Sequence, residues 1–147
     1  MMTTKPEAIT EHEVRTLVES FWHDVRSGQP GSTMEHYFIG AGHVMIPDGG
    51  RLDLESHQAL HRQLCDEVHT WKNLTLVPVF ATPPRAHAAA VVHWEASFAD
   101  GRPGRIRADV QEQWLFERCT DGQVRFVLYR SAELTFAEDS AELVINP

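Results

Sequence analysis

One stretch, residues 86–133, limits the fold of this chain more than any other. Its middle segment, 105–118, alternates with period two. The even positions are Ile106, Ala108, Val110, Glu112, Trp114 and Phe116; the odd positions are polar except for Leu115. Side chains two apart share a strand face, so one face is apolar with a single intruder, Glu112. Asp100-Gly101-Arg102-Pro103-Gly104 forms a turn cluster before this segment. After it, Thr120-Asp121-Gly122 suits a three-residue hairpin loop with Gly122 in the left-handed position. Three consecutive antiparallel strands follow, at 86–98, 105–118 and 123–133.

The loops set a register. A loop centred on Asp121 places Phe116 opposite Phe126, Trp114 opposite Leu128 and Glu112 opposite Arg130. A loop centred on Arg102 pairs Phe98 with Ile106, Trp94 with Val110 and Val92 with Glu112. Every strand then agrees on which face is apolar, and a slip of one residue would expose each apolar set. A carboxylate on an apolar inner face is costly unless it is paired. Glu112 and Arg130 are therefore expected as neighbours, either as a structural ion pair or as the polar floor of a pocket.

The rest of the chain reads as helices and short strands. Residues 1–9 form a loose leader. Thr10 and Glu13 make a capping box with Ile9 as staple, and Val14, Leu17, Val18, Phe21, Trp22 and Val25 form a helical stripe that Gly28 ends. Ser32 and Glu35 cap a short helix to about residue 38. His43 to Ile46 is a short strand, Arg51 to Leu54 its return, and a third helix, capped by Asp53, runs over 55–68 with Leu60, Leu64 and Val68 on its buried line. Residues 71–81 form a strand in which Pro78 indicates an edge or a bulge. The fold of the acidic tail, 134–147, is left open. Long antiparallel strands after helices imply one α+β domain over 1–147, with a curved, mainly antiparallel sheet wrapped around three helices.

Composition narrows the function. A net charge of −8 and a pI near 5.5 argue against nucleic acid or anionic membrane partners. Cys65 and Cys119 belong to no CxxC pair, and no apolar run reaches the length of a membrane span. Free thiols and a cytoplasmic location are expected. His57 and His61 share one face of the third helix, but Gln58 stands where a zinc peptidase motif needs Glu. No metal is expected there. Phosphate-cradle, Rossmann and GxSxG patterns are absent. Phe21, Trp22, Trp94, Trp114 and Phe126 could line a cavity or form the core.

The helix ended by Gly28, Tyr37-Phe38, Val44-Met45-Ile46-Pro47, Trp114-Leu115-Phe116 and Asp121-Gly122-Gln123-Val124 together resemble the nuclear-transport-factor-2-like superfamily, in its SnoaL-like and ketosteroid-isomerase-like branch. The resemblance spans about 10–133 and implies a cone-shaped fold with a pocket at its open end. It also implies a homodimer through the outer sheet face, where Arg107, Gln111, Gln113, Val127 and Tyr129 are expected. Phe21 and Ile46 stand where the steroid isomerases carry a tyrosine and a base, and only Glu112 retains its carboxyl group. Steroid isomerisation by that mechanism is therefore rejected. His69-Thr70-Trp71-Lys72-Asn73 is similar to the dehydratase-like branch and implies His69 as a general base. The acids of that branch fall on Gly40 or Ala41, which cannot serve. Two functions remain open. One is a cofactor-free acid–base enzyme acting on an apolar oxygenated molecule, with His69 and Glu112 catalytic and Arg130, Phe21, Ile46, Leu64, Trp94 and Trp114 facing the substrate. The other is a non-catalytic binding or assembly domain.

Overall fold

The computed structural model describes residues 7–79 and 82–144. The first helix, α1 (Glu11–Arg26), begins at the expected capping box: Thr10 accepts from the Glu13 backbone, and the Glu13 side chain reaches back. Ile9 is buried beside it, and Gly28 ends it at φ +71°. A short helix α2 (Gly31–Met34) and a 3-10 turn (Glu35–Tyr37) follow. The expected Ser32–Glu35 box does not form, because Pro30 occupies the N-cap. Next come β1 (His43–Met45), β2 (Arg51–Asp53), α3 (Leu54–His61), β3 (Leu64–Val79), β4 (Arg85–Phe98), β5 (Arg105–Arg118) and β6 (Val124–Phe136).

The strands form one open sheet in the order β2-β1-β6-β5-β4-β3. Only β1 and β6 run parallel. The long strands carry α1 and α3 on their concave face, and Pro78 lies on the edge strand β3, where a missing donor is tolerated. Alternation on β5 holds throughout: Ile106, Ala108, Val110, Glu112, Trp114 and Phe116 are all buried.

The register departs from expectation in two ways. The β4–β5 pairing slides by two residues, so Trp94 faces Ala108, Ala90 faces Glu112 and Val92 faces Val110. A slide of two keeps every side chain on its own face. The β5–β6 ladder carries two irregularities. Phe116 faces Phe126 as expected, but an extra residue at Val127 then places Tyr129 opposite Trp114 and Ser131 opposite Glu112. A second extra residue at Ala132 restores the phase, and Leu134 faces Val110. Bulges turn side chains over. Here Tyr129 points inward and is buried, which removes it from the expected outer-face set, while Arg130 turns outward to Gln113 at 3.4 Å. The expected Glu112–Arg130 pair does not exist.

The third helix is also shorter than expected. It stops at His61, and β3 begins at Leu64, so Val68 is 48% exposed on a strand rather than buried on a helix. The sheet pairing outweighs the helical pattern of Leu60, Leu64 and Val68, because Leu64 and Cys65 gain partners in Phe98 and Ser97. The tail after Phe136 folds back on β5, with Ala137 and Ala141 donating to the carbonyls of Arg107 and Arg105. Two apolar clusters result. One is built on α1, Phe38, Trp114, Phe116, Phe126 and Tyr129; the other on Leu64, Trp94, Phe98, Ile106 and Val110, with Leu134, Ala141 and Leu143 packed against it.

Candidate active site

Between the two clusters lies a cavity of about 250 Å³. Its walls are mostly apolar: Phe21, Trp22 and Val25 from α1, Val44, Ile46 and Pro47 around β1, Trp94 and Val110 from the sheet, and Leu143 from the tail. His57, His61, His69, Glu112, Tyr129 and Ser131 supply its polar groups. No lysine or arginine is among the lining residues. A wider depression of about 440 Å³ beside His12, Thr16, Gln123 and Arg125 lies outside α1, and Glu13 there is already engaged by Arg118 at 2.7 Å.

Glu112 is buried on the cavity floor. Ser131 Oγ donates to its Oε1 and Oε2 at 3.2 and 3.1 Å, and Tyr129 also hydrogen-bonds with it. Burial pushes the Glu112 carboxyl up to about 8, against the smaller opposing effects of Ser131 and Tyr129. At neutral pH it is a carboxylic acid with a proton to give. Tyr129 Oη accepts from Trp22 Nε1 at 3.1 Å, and burial followed by the nearby Glu112 holds the phenol protonated.

His69 stands on the same cavity. Its ring stacks on Trp22 at 4.7 Å and 11°, and its buried Nδ1 has no hydrogen-bond partner among the described residues. Burial pushes it down to about 4; the Glu67 carboxylate opposes this, and His61 and Arg26 add to it. His69 is a neutral imidazole at neutral pH. His57 is held neutral in the same way, by burial and then by His61 and His69.

The structure brings His69, Glu112, Phe21, Ile46 and Trp94 to one cavity. Leu64 and Trp114 are buried in the neighbouring clusters and are not among the lining residues, and Arg130 lies on the other side of the sheet. Sequence reasoning missed Glu67. This residue is buried; its Oε1 lies 2.8 Å from His61 Nδ1 and accepts from Trp94 Nε1 at 3.0 Å. The signal was present in Asp66-Glu67 breaking the alternation, but it was hidden by reading 55–68 as helix. Among the described residues, no group of three or more His, Cys, Asp or Glu side chains is placed to hold a metal ion.

No family model matches the sequence, and no curated protein matches it. Solved structures do match. A scytalone-dehydratase-like protein from Novosphingobium aromaticivorans is 12% identical with a TM-score of 0.67, covering 92% of this chain and 91% of its own. An NTF2-like protein from Cytophaga hutchinsonii is 8% identical with a TM-score of 0.62, over 88% and 100% of the two chains. The fold is nuclear-transport-factor-2-like. A third NTF2-like match is hexachlorocyclohexane dehydrochlorinase LinA-type3 from Novosphingobium barchaimii, 14% identical with a TM-score of 0.65 over 90% and 93%. With this fold the cone interior holds the cavity. Among the described residues no helix is long and apolar enough to cross a membrane.

Proposed function

We propose that this NTF2-like chain is a cofactor-independent enzyme of the SnoaL-like type, a lyase or isomerase using acid–base chemistry on a neutral, apolar, oxygenated small molecule. One observation carries the reading: a carboxyl group whose proton affinity is raised to about 8 shares an apolar cavity with neutral imidazoles. Pairs of titratable groups driven apart by their surroundings are suited to acid and base roles. With no cation in the lining, a neutral substrate is favoured over an anion. Two of the similar structures bear the names of elimination enzymes, a dehydratase and a dehydrochlorinase.

In an elimination of water, an imidazole takes the proton from the carbon next to a carbonyl, with His69 the candidate from sequence. The C–H electron pair becomes the new C=C bond. The C–O bond on the adjacent carbon breaks, and the leaving hydroxyl takes the Glu112 proton to depart as water. Proton return from imidazolium to Glu112 carboxylate resets the site. The outer sheet face, with Arg107, Gln111, Gln113 and Val127, is the proposed homodimer surface; a monomeric mass by light scattering at micromolar concentration would remove that part.

The test is a panel of neutral aromatic β-hydroxyketones beside the corresponding β-hydroxy acids, followed by NMR, with native mass spectrometry of the purified protein. Turnover confined to the neutral set and reduced about 100-fold or more by Glu112→Gln is expected. A ligand retained unchanged, with Glu112→Gln altering only its affinity, would instead make this a binding domain.

A further inference from the structure

We infer that His61, held by Glu67, is the oriented base of the cavity, and that Glu67 is its positioning residue. This rests on the acid–base reading above and assigns its proton acceptor. Three imidazoles line the cavity. His57 stacks on Phe21 at 6.3 Å and 12° and has no carboxylate hydrogen-bonded to it among the described residues. His69 lies flat on Trp22, and among the described residues its Nδ1 has no partner, so no hydrogen bond there selects a tautomer.

His61 differs. Its Nδ1 meets Glu67 Oε1 at 2.8 Å, with the two side chains only 12% and 2% exposed. Burial works to raise Glu67, but its contact with His61 and the Trp94 hydrogen bond outweigh it and the carboxyl falls below its ordinary value. An ionised carboxylate only accepts. In the neutral ring the hydrogen bond to Glu67 therefore places the proton on His61 Nδ1 and leaves the lone pair on Nε2, which makes no hydrogen bond among the described residues. A fixed tautomer of this kind is what a general base needs.

The backbone supports the same assignment. On β3, Leu64 faces inward, so a regular strand would turn Glu67 and His69 outward. Instead Asp66 and Glu67 together stand opposite Ala96 in a bulge, with Asp66 at φ +50°. The extra residue turns Glu67 and His69 inward and Val68 out. Arg105 Nη2 donates to the Asp66 carbonyl at 3.0 Å while its other nitrogens hold Glu95 and Ser97, each at 2.9 Å. A non-glycine residue at positive φ, clamped by a guanidinium, is backbone strain maintained by its surroundings.

Base action can be read without knowing the substrate. A base that removes a proton from the carbon next to the carbonyl of 1-tetralone leaves an enol, the C–H pair entering the C=C bond and the carbonyl oxygen taking the Glu112 proton. Reversal in D2O returns deuterium. Exchange into 1-tetralone by NMR is compared for the full chain and for His61→Asn, His69→Asn, Glu67→Leu and the milder Glu67→Gln, with ring 15N spectra of each. His61→Asn is expected to slow exchange about 100-fold or more and Glu67→Leu at least about 10-fold, with the His61→Asn loss exceeding that of His69→Asn. In the parent protein the neutral form of His61 shows protonated Nδ1 and bare Nε2, and in Glu67→Leu the proton of that neutral ring redistributes to Nε2. Loss of exchange with His69→Asn and not with His61→Asn overturns the assignment. If the parent protein gives no exchange, the acid–base reading fails for such ketones and the spectra decide separately. A bare Nε2 that shifts when 1-tetralone is added supports the oriented His61, and an Nε2-protonated or mixed ring overturns it.

Discussion

The two faces of this sheet handle the same side chains in opposite ways. On the outer face His93 sits between Asp109 and Glu95, each at 2.9 Å. Its hydrogen bonds to Asp109 and then Glu95 raise its proton affinity. On the inner face His69, stacked on Trp22, is driven down to about 4 by burial. The carboxylates Glu95 and Glu112 show the same division, whereas the inner Glu67, paired with His61 and Trp94, stays lowered. The outer Glu95 is lowered by Arg105 and then His93, and the inner Glu112 is raised to about 8 by burial. Paired charges near water stay charged; groups enclosed by aromatic walls with few partners become neutral. The outer face spends its titratable groups on a screened ion network, and the inner face leaves a proton donor and neutral acceptors in one apolar cavity.

Four changes would break or sharpen this contrast. The largest effect belongs to Glu112. Its folded value exceeds its unfolded one, so its contribution to stability is complete below about 4.5 and is lost as the pH rises through about 8. From pH 4 to pH 8 in paired chemical melts, Glu112→Gln should gain roughly 4 kcal/mol on the parent protein. His69 has the opposite sign: its contribution is complete above about 6.5 and lost as the pH falls through about 4. His69→Phe should remove an acid destabilisation of roughly 3 kcal/mol between pH 7 and pH 4. Asp66→Ile, a β-branched residue at φ +50°, should cost about 1–2 kcal/mol by thermal melt and slow 1-tetralone exchange with it. The smallest effect is outside. His93→Gln should change stability by about 0.5 kcal/mol or less, present only at low pH and erased by salt, because the site is screened.

The sequence carried the face of nearly every residue on β4 and β5, because an apolar alternation that long admits one orientation. It carried the cap at Thr10 and the turn at Gly122 because each rests on a local chemical rule. It did not carry the bulges. The one at Val127 exchanges Tyr129 for Arg130 inside the cone, and the one at Asp66 brings in Glu67. A bulge is decided by what the opposite strand and the covering helix can accommodate, which no local pattern records. Spacing did leave a trace: Phe126, Tyr129 and Ser131 are three and then two apart, an odd step where alternation requires an even one. The same blindness extended α3 through 62–68, since Leu60, Leu64 and Val68 fit a helical period even though the backbone of Leu64 and Val68 pairs with β4.

The claim on which the rest depends is that Glu112 keeps its proton inside the cone at neutral pH. Carbon-detected NMR of the Glu112 carboxyl, assigned by its loss in Glu112→Gln, follows this group directly from pH 3 to pH 10. A midpoint near 8, with the protonated form dominant at pH 7, is the expected result. A midpoint near 4.5 would mean an ionised carboxylate on the cavity floor and would contradict the proton-donor role.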